Sequence, residues 1–370
     1  MTQKNTRDKK PKWAVIGGGN GGQSLAGHLG LMGFAVRLYD IVPETVDAIR
    51  ASGGISVEGV IQGFGPIDRV TMDIEEALDG ADIVMVVAPA VAHRAIATSC
   101  APYLTDGQVV FVHPGATGGA LEFKKTLADQ GCRSRLTFAE ANSLMYACRS
   151  PKPGRASIFG VKKELMVAAL PADEIDHVLD LLNSAFPQMA AGKNVLETSL
   201  GNPNAMMHPA PSLLNTSLIE SDRDWLYYWD GITPSIGAFV ETMDRERLAL
   251  AEAFGLKLPS IVEWYNRAYG AAADTLSEAV KKNQAYAGVK GQKSLRTRYI
   301  LEDVPTGLVP MVSLSKMAGV SVPRMETIVK LAEYVLGEDL TKDGRTTENL
   351  GLSGMTVQDI QKFLQTGLRR

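Results

Sequence analysis

The segment that most constrains this chain is Lys12-Trp13-Ala14-Val15-Ile16-Gly17-Gly18-Gly19-Asn20-Gly21-Gly22, which runs on into Leu25-Ala26-Gly27-His28-Leu29. A short apolar run ends in a glycine cluster, and the cluster opens a helix. Gly17, Gly19 and Gly22 match the spacing Gly-x-Gly-x-x-Gly. In that pattern the first glycine permits a tight turn, the second lets a pyrophosphate approach the backbone, and the third lets helix and strand pack closely. Unpaired N–H groups at the helix start then face the phosphates. Asn20 and Gly21 sit inside the cluster, so they join the three glycines as cofactor-binding candidates.

The following residues supply the context that a glycine pattern alone lacks. Phe34-Ala35-Val36-Arg37-Leu38-Tyr39-Asp40 reads as a second strand ending in an acid, 18 positions after Gly22. A carboxylate near that spacing hydrogen-bonds the adenosine ribose and repels a 2′-phosphate. NAD is therefore expected over NADP, with NADP as the second choice. Arg37 lies an odd number of positions from Asp40 and faces the other side of the strand.

At 370 residues, two domains are the natural division. The net charge of −3 gives no reason to expect nucleic acid or an anionic membrane as partner. Cys100, Cys132 and Cys148 are odd in number and lack metal-ligand or Cys-x-x-Cys spacing. No metal site is expected, and a reducing, cytoplasmic location suits them. The start of the chain is polar and basic without an apolar core, so residues 1–11 read as a disordered tail rather than a secretory signal. No apolar run is long enough to span a bilayer.

The first half alternates strands and helices. Ala14–Ile16, Ala35–Tyr39, Ile83–Ala88 and Val109–Val112 are β-branched runs of the buried parallel type, and Leu136–Ala139, Ala156–Phe159 and Leu165–Ala169 add further strands. Ser24–Met32, Val42–Ala51 and Ile74–Leu78 read as helices between them. Right-handed βαβ units in this order build a Rossmann-type, doubly wound α/β domain, placed at 12–192. A mostly α-helical domain follows at 193–370. In it Ile236, Val240, Met243, Leu250 and Phe254 share one helical face, with Gly255 as the cap. Ile261–Tyr269, Met311–Gly319 and Arg324–Leu336 also read as helical, with Pro310 and Pro323 at helix starts.

Ligands of open α/β sheets bind beyond the carboxyl ends of the strands. Two loops there, Val87–His93 and His113–Gly119, hold small residues that let a flat cofactor lie close, which makes Pro89, Pro114 and Gly115 cofactor-lining candidates. His93 and His113 themselves read as structural. In the second half, three prolines between Gly201 and Pro211 constrain His208, a candidate general acid or base. Far downstream, Val304 precedes a proline and is biased out of the helical region, so Asp303 falls where a helix stops. An aspartate there could orient a histidine. Arg298 reads either as a planar fork for a substrate carboxylate or as an exposed pair with Glu302. Arg247 reads either as buried against Asp244 or Glu241 or as facing the cleft, with the buried reading favoured, and Trp225–Trp229 as pocket lining or core.

At these residues the chain resembles the octopine/nopaline (opine) dehydrogenase family, from about Lys12 to Gly367. The resemblance rests on Gly17–Gly22, on Ala139–Leu144 with Ala147–Arg149, and most on Gly201–Pro211, Gly231–Ser235 and Arg298–Pro310. It implies reductive condensation of an L-amino acid with a 2-oxo acid such as pyruvate, on a dinucleotide domain joined through a mobile cleft to a helical substrate domain. It matches His208 and Asp303 to the catalytic histidine and aspartate, and Arg298 to the arginine that holds a substrate carboxylate. Glu140 matches an acid at the cleft-facing end of the nucleotide domain, and Asn204 joins the substrate-binding set. The family often has threonine where this chain has Ala141. The expected partners are these small molecules; monomer and homodimer both stay open. Two other readings compete: a 2-hydroxy-acid or ketopantoate-type dehydrogenase, and a non-catalytic dinucleotide sensor.

Overall fold

The computed structural model describes residues 10–369. The chain divides into two compact units. One holds the chain up to Gly115, residues 119–198 and Phe363–Leu368; the other holds Ala116–Gly118, Ser199–Lys362 and Arg369. Of the expected tail, 1–11, all but Lys10 and Pro11 lies outside the described residues. Those two are packed rather than loose: Pro11 is buried and Lys10 Nζ donates to Met32 O at 2.8 Å.

Among the described residues the first unit is built on twelve strands: β1 Trp13–Ile16, β2 Val36–Tyr39, β3 Gly54–Gly59, β4 Gly63–Pro66, β5 Arg69–Thr71, β6 Ile83–Val86, β7 Val109–Val112, β8 Thr137–Ala141, β9 Tyr146–Lys152, β10 Arg155–Val161, β11 Leu165–Leu170 and β12 Met189–Ala191. Eight form one sheet in the order β12-β11-β8-β7-β6-β1-β2-β5. All its neighbours run parallel except β8 and β11. Every residue of β1, β6 and β7 is buried, as expected of apolar strands covered on both faces. The chain leaves β1 towards β2 and β5, then returns to place β6 on the other side of β1. That reversal puts the carboxyl ends of β1 and β6 at the switch point where such sheets take ligands. This is the Rossmann-type α/β layer expected from the sequence.

A second sheet, β4-β3-β10-β9, was not foreseen as such. It packs on the helix Asn20–Leu31 through glycines. A Cβ on Gly27 would stand 2.8 Å from Val57 Cγ2, and one on Gly30 would stand 2.3 Å from Pro66 O. Glycine at these two positions lets the strands approach the helix backbone.

The second unit is almost wholly helical. Its longest helix, Pro234–Ala253, buries Val240, Met243, Leu250 and Ala251, while Ile236 is only half-buried. Thr233 caps its start by accepting from Ile236 N, and Gly255 follows its end at φ +71°. Ile261–Tyr269 opens on a capping box between Ser260 and Glu263. Pro310 and Pro323 fall in the first turns of Val309–Ala318 and Pro323–Leu336. Val304, expected outside the helical region, lies instead in a π-helical turn, Val304–Leu308, which feeds directly into the next helix. All five residues of that turn are buried, so packing overrides the pre-proline bias.

Candidate active site

In the first unit the glycine cluster is shaped for a ligand. Gly17 sits at φ +113°, and a Cβ there would meet Val87 O at 2.4 Å. A Cβ on Gly22 would lie 1.6 Å from Gly17 O, so helix and strand touch backbone to backbone. Gly19 differs: a Cβ there would have nothing within 4 Å. The protein does not require glycine at that point, and the open space suits an approaching phosphate. The helix Asn20–Leu31 has no side-chain cap and no acid in its first turn, so its leading amides are available to an anion. These residues fit a bound dinucleotide. Asn20 also ties this loop to the second sheet, its side-chain Oδ1 accepting from Ser150 N at 2.7 Å.

Asp40 ends β2 against this loop. Its carboxylate accepts from Gly18 N and, at 2.8 Å, from Val42 N. Arg37 points away and is tied down, donating to Glu76 O at 2.6 Å and pairing with Asp79 at 3.3 Å. The residue after Asp40 is Ile41, an apolar side chain 72% exposed. Pro89 is exposed at the start of a short 3₁₀ turn after β6, and Gly115 N donates to Ala141 O at 3.1 Å. Pro114 follows the buried His113 through a cis peptide bond.

Glu140 is a correction. It does not stand at an open edge: it is 0% exposed, one carboxylate oxygen accepts from Ala120 N at 2.9 Å, and the other accepts from Thr198 Oγ1 at 2.7 Å. It binds the start of the helix Gly119–Asp129, where a negative charge is favoured. His93 and His113 are fully buried, in keeping with a structural role.

In the second unit, His208 and Asp303 meet although 95 positions apart: Nδ1 lies 2.7 Å from Oδ2. They are 7% and 4% exposed. With Nδ1 held by the carboxylate, Nε2 is the nitrogen that can exchange a proton. Two aromatic residues hold the ring: Tyr299, which had no role assigned from the sequence, and Tyr227, from the run read as pocket lining or core. Tyr299 stacks on it, centroids 3.9 Å apart and planes within 11°. Tyr227 stands edge-on to it at 6.3 Å and donates its hydroxyl to the carbonyls of Met207 and His208, at 3.1 and 3.0 Å. Burial pushes the Tyr227 phenol well above its ordinary pKa, so it stays a neutral donor. The aromatic run at Trp225–Trp229 is thus core that also fixes the backbone at His208. The signal for Tyr299 was its place next to Arg298, one turn before Asp303.

Arg298 makes the pair with Glu302 that the sequence allows, at 3.2 Å, and its side chain is 60% exposed. Asn204 begins the short helix that leads to His208, and its carbonyl accepts from His208 N at 3.0 Å. Arg247 is structural: it pairs with Asp244 at 2.7 Å and donates to the carbonyls of Leu200 and Pro259. Among the described residues no group of His, Cys, Asp and Glu could hold a metal ion, and no helix is long and apolar enough to cross a membrane.

Both units match known protein domains. Residues 191–336 match the α-helical domain of the NAD/NADP octopine/nopaline dehydrogenases, and residues 12–129 match the N-terminus of the NAD-dependent glycerol-3-phosphate dehydrogenases. Among solved structures, octopine dehydrogenase in complex with NADH and agmatine superposes with a TM-score of 0.81 at 22% identity, covering 98% of this chain and 99% of that one. A ketopantoate reductase from Ralstonia eutropha JMP134 shares the fold more distantly, with a TM-score of 0.62 at 18% identity over 90% of this chain and 99% of that one. An opine dehydrogenase from Arthrobacter sp. (strain 1C) is 42% identical over 354 residues, 95% of this chain and 98% of its own, and on that similarity the chain belongs to the opine dehydrogenase family.

Proposed function

We propose that this protein is an opine dehydrogenase that condenses the amino group of an L-amino acid with a 2-oxo acid and reduces the resulting imine to a secondary amine dicarboxylate. The observation that carries the proposal is the His208–Asp303 pair at 2.7 Å, buried and stacked against Tyr299. Asp303 holds the proton on Nδ1 and stabilises the imidazolium. Nε2 of His208 takes the proton released when the amine attacks the carbonyl and returns it when water leaves. Arg298 offers a planar donor fork to a substrate carboxylate, and Asn204 lies one helical turn ahead of His208 on the same face.

Gly17, Gly19, Gly21 and Gly22, with the leading amides of the helix that starts at Asn20, hold the cofactor's pyrophosphate. Asp40 takes the adenosine ribose, and Pro89, Pro114 and Gly115 line the strand ends. NADH, when bound, supplies the hydride. NADH is preferred over NADPH because Asp40 repels a 2′-phosphate and Arg37 is already committed to Asp79 and Glu76. The three thiols, none in a disulfide, suit a cytoplasmic enzyme.

The test is NADH and NADPH oxidation with a panel of L-amino acids against pyruvate and larger 2-oxo acids. Turnover must require both carbon substrates. Oxidation of NADH by the oxo acid alone, undiminished when the amino acid is omitted, would instead place the protein with the ketopantoate-type reductases whose fold it shares.

A further inference from the structure

Lys162 is a half-buried cation without a counter-charge among the described residues. It directly follows β10, and its one hydrogen-bond acceptor is Ser143 Oγ. No carboxylate of the described residues pairs with it, and burial pushes its ammonium down to about 8. An ammonium has three donors, so two are left over. Burying a charge without a partner is unfavourable unless something else supplies the opposite charge.

Its surroundings are built rather than accidental. Lys162 N donates to Met145 O at 3.0 Å, and Met145 N donates to His113 Nε2 at 3.1 Å. His113 directly follows β7, is 0% exposed, and its Nδ1 has no hydrogen-bond partner. Burial and the nearby Lys162 charge push its imidazole down to about 3, so it adds no second positive charge. Ser143 lies just beyond β8, and its hydroxyl is 3.3 Å from Asn142 Oδ1. The next residue, Leu144, packs on Gly21: a Cβ there would be 3.2 Å from Leu144 Cδ1. The ammonium therefore belongs to the carboxyl edge of β7 and β8, beside the glycine cluster but not part of it.

We propose that Lys162, steadied by Ser143, is a second carboxylate-binding residue, taking one of the two α-carboxylates that the substrates bring. The inference rests on the opine dehydrogenase reading. Each substrate carries a carboxylate that calls for a cation, and within the first unit the pyrophosphate already has the amides from Gly19 onwards. Among the described residues, Lys162 is a cation at these strand ends that has no acid of its own.

The experiment compares wild type, Lys162→Met and Lys162→Arg. NADH affinity is read by fluorescence titration. Affinity for oxamate, a stable 2-oxo acid mimic, is read by calorimetry on the NADH-loaded protein. The amino-acid side is read as the KM ratio between the best amino acid and its decarboxylated amine. Loss of a charge-assisted hydrogen bond predicts a drop of about 10- to 100-fold in Lys162→Met on one side only. Weaker oxamate binding assigns the oxo-acid carboxylate; loss of preference over the amine assigns the amino-acid carboxylate. Lys162→Arg should recover most of the loss, and Ser143→Ala should show a smaller loss on the same side should Lys162→Met fail to fold. The proposal is overturned if both readouts stay within threefold of wild type, or if NADH affinity falls tenfold, which would make the anion a cofactor phosphate. Wild-type turnover that needs both carbon substrates upholds the opine dehydrogenase reading independently of either result.

Discussion

His208 Nδ1 and Asp303 Oδ2 lie 2.7 Å apart inside the helical unit, with the imidazole face covered by Tyr299. The geometry fixes which nitrogen does chemistry. His208→Ala is expected to lower kcat by about 10²- to 10⁴-fold, the usual contribution of a positioned acid–base group. Asp303→Asn is expected to do comparable damage by favouring the wrong tautomer. Thermal unfolding should show both variants folded. Near-wild-type turnover in either would remove the pair from the mechanism.

Tyr299 separates orientation from proton transfer. A ring stacked at 3.9 Å limits the imidazole to one plane and attracts its protonated form. Tyr299→Phe keeps the stack and should retain most activity. Tyr299→Leu should lose roughly tenfold in kcat with KM little changed. Wild-type kcat in Tyr299→Leu would reduce Tyr299 to plain packing.

The two units were legible in the sequence to different depths. β1, β6 and β7 could be read because unbroken β-branched runs flanked by turn residues have few other outcomes. The sheet holding β3 and β4 could not: Gly54, Gly59, Gly63 and Gly65 lie in those strands, and glycine dilutes the alternation that marks one. His208 and Asp303 were readable because prolines around each restrict the chain. Lys162 was not, since nothing local distinguishes it from its exposed neighbour Lys163. Its character comes from contacts with Ser143 and Met145, which only the fold creates. Glu140 shows the opposite failure: an acid in a recognisable motif turned inward, because two donors met it there.

Lys162 should also leave a mark on stability. Its pKa is about 8 in the folded chain against an ordinary value of 10.5. Below pH 8 both states carry the proton and the native state bears the full burial penalty. Between about 8 and 10.5 only the unfolded chain holds the proton, so stability rises with pH across that window. Lys162→Met removes the penalty. It is expected to be more stable than wild type at pH 7, by at most about 3 kcal/mol and less to the extent that solvent reaches the ammonium. The gain should fade above pH 10. Chemical denaturation at pH 7 and 10 decides it; equal or lower stability of the variant at pH 7 would mean that the charge is satisfied in the free protein.

Gly19 and Gly22 give the sharpest contrast within one motif. A methyl group on Gly22 would sit 1.6 Å from Gly17 O, a contact no side-chain movement relieves because both atoms involved are tied to backbone. Gly22→Ala should therefore destabilise the first unit by about 3 kcal/mol or more. Gly19 has φ −73° and no protein atom within 4 Å of an added Cβ. Gly19→Ala should leave thermal stability unchanged, or raise it by up to about 1 kcal/mol through the stiffer unfolded chain. Yet the same methyl group occupies the space where a pyrophosphate would meet the backbone, so NADH affinity should fall at least about tenfold. Unfolding curves and NADH fluorescence titrations on the two variants check both halves. If Gly19→Ala binds NADH as wild type does, the open space above Gly19 is not where the phosphates lie, and the cofactor crosses the switch point by another path.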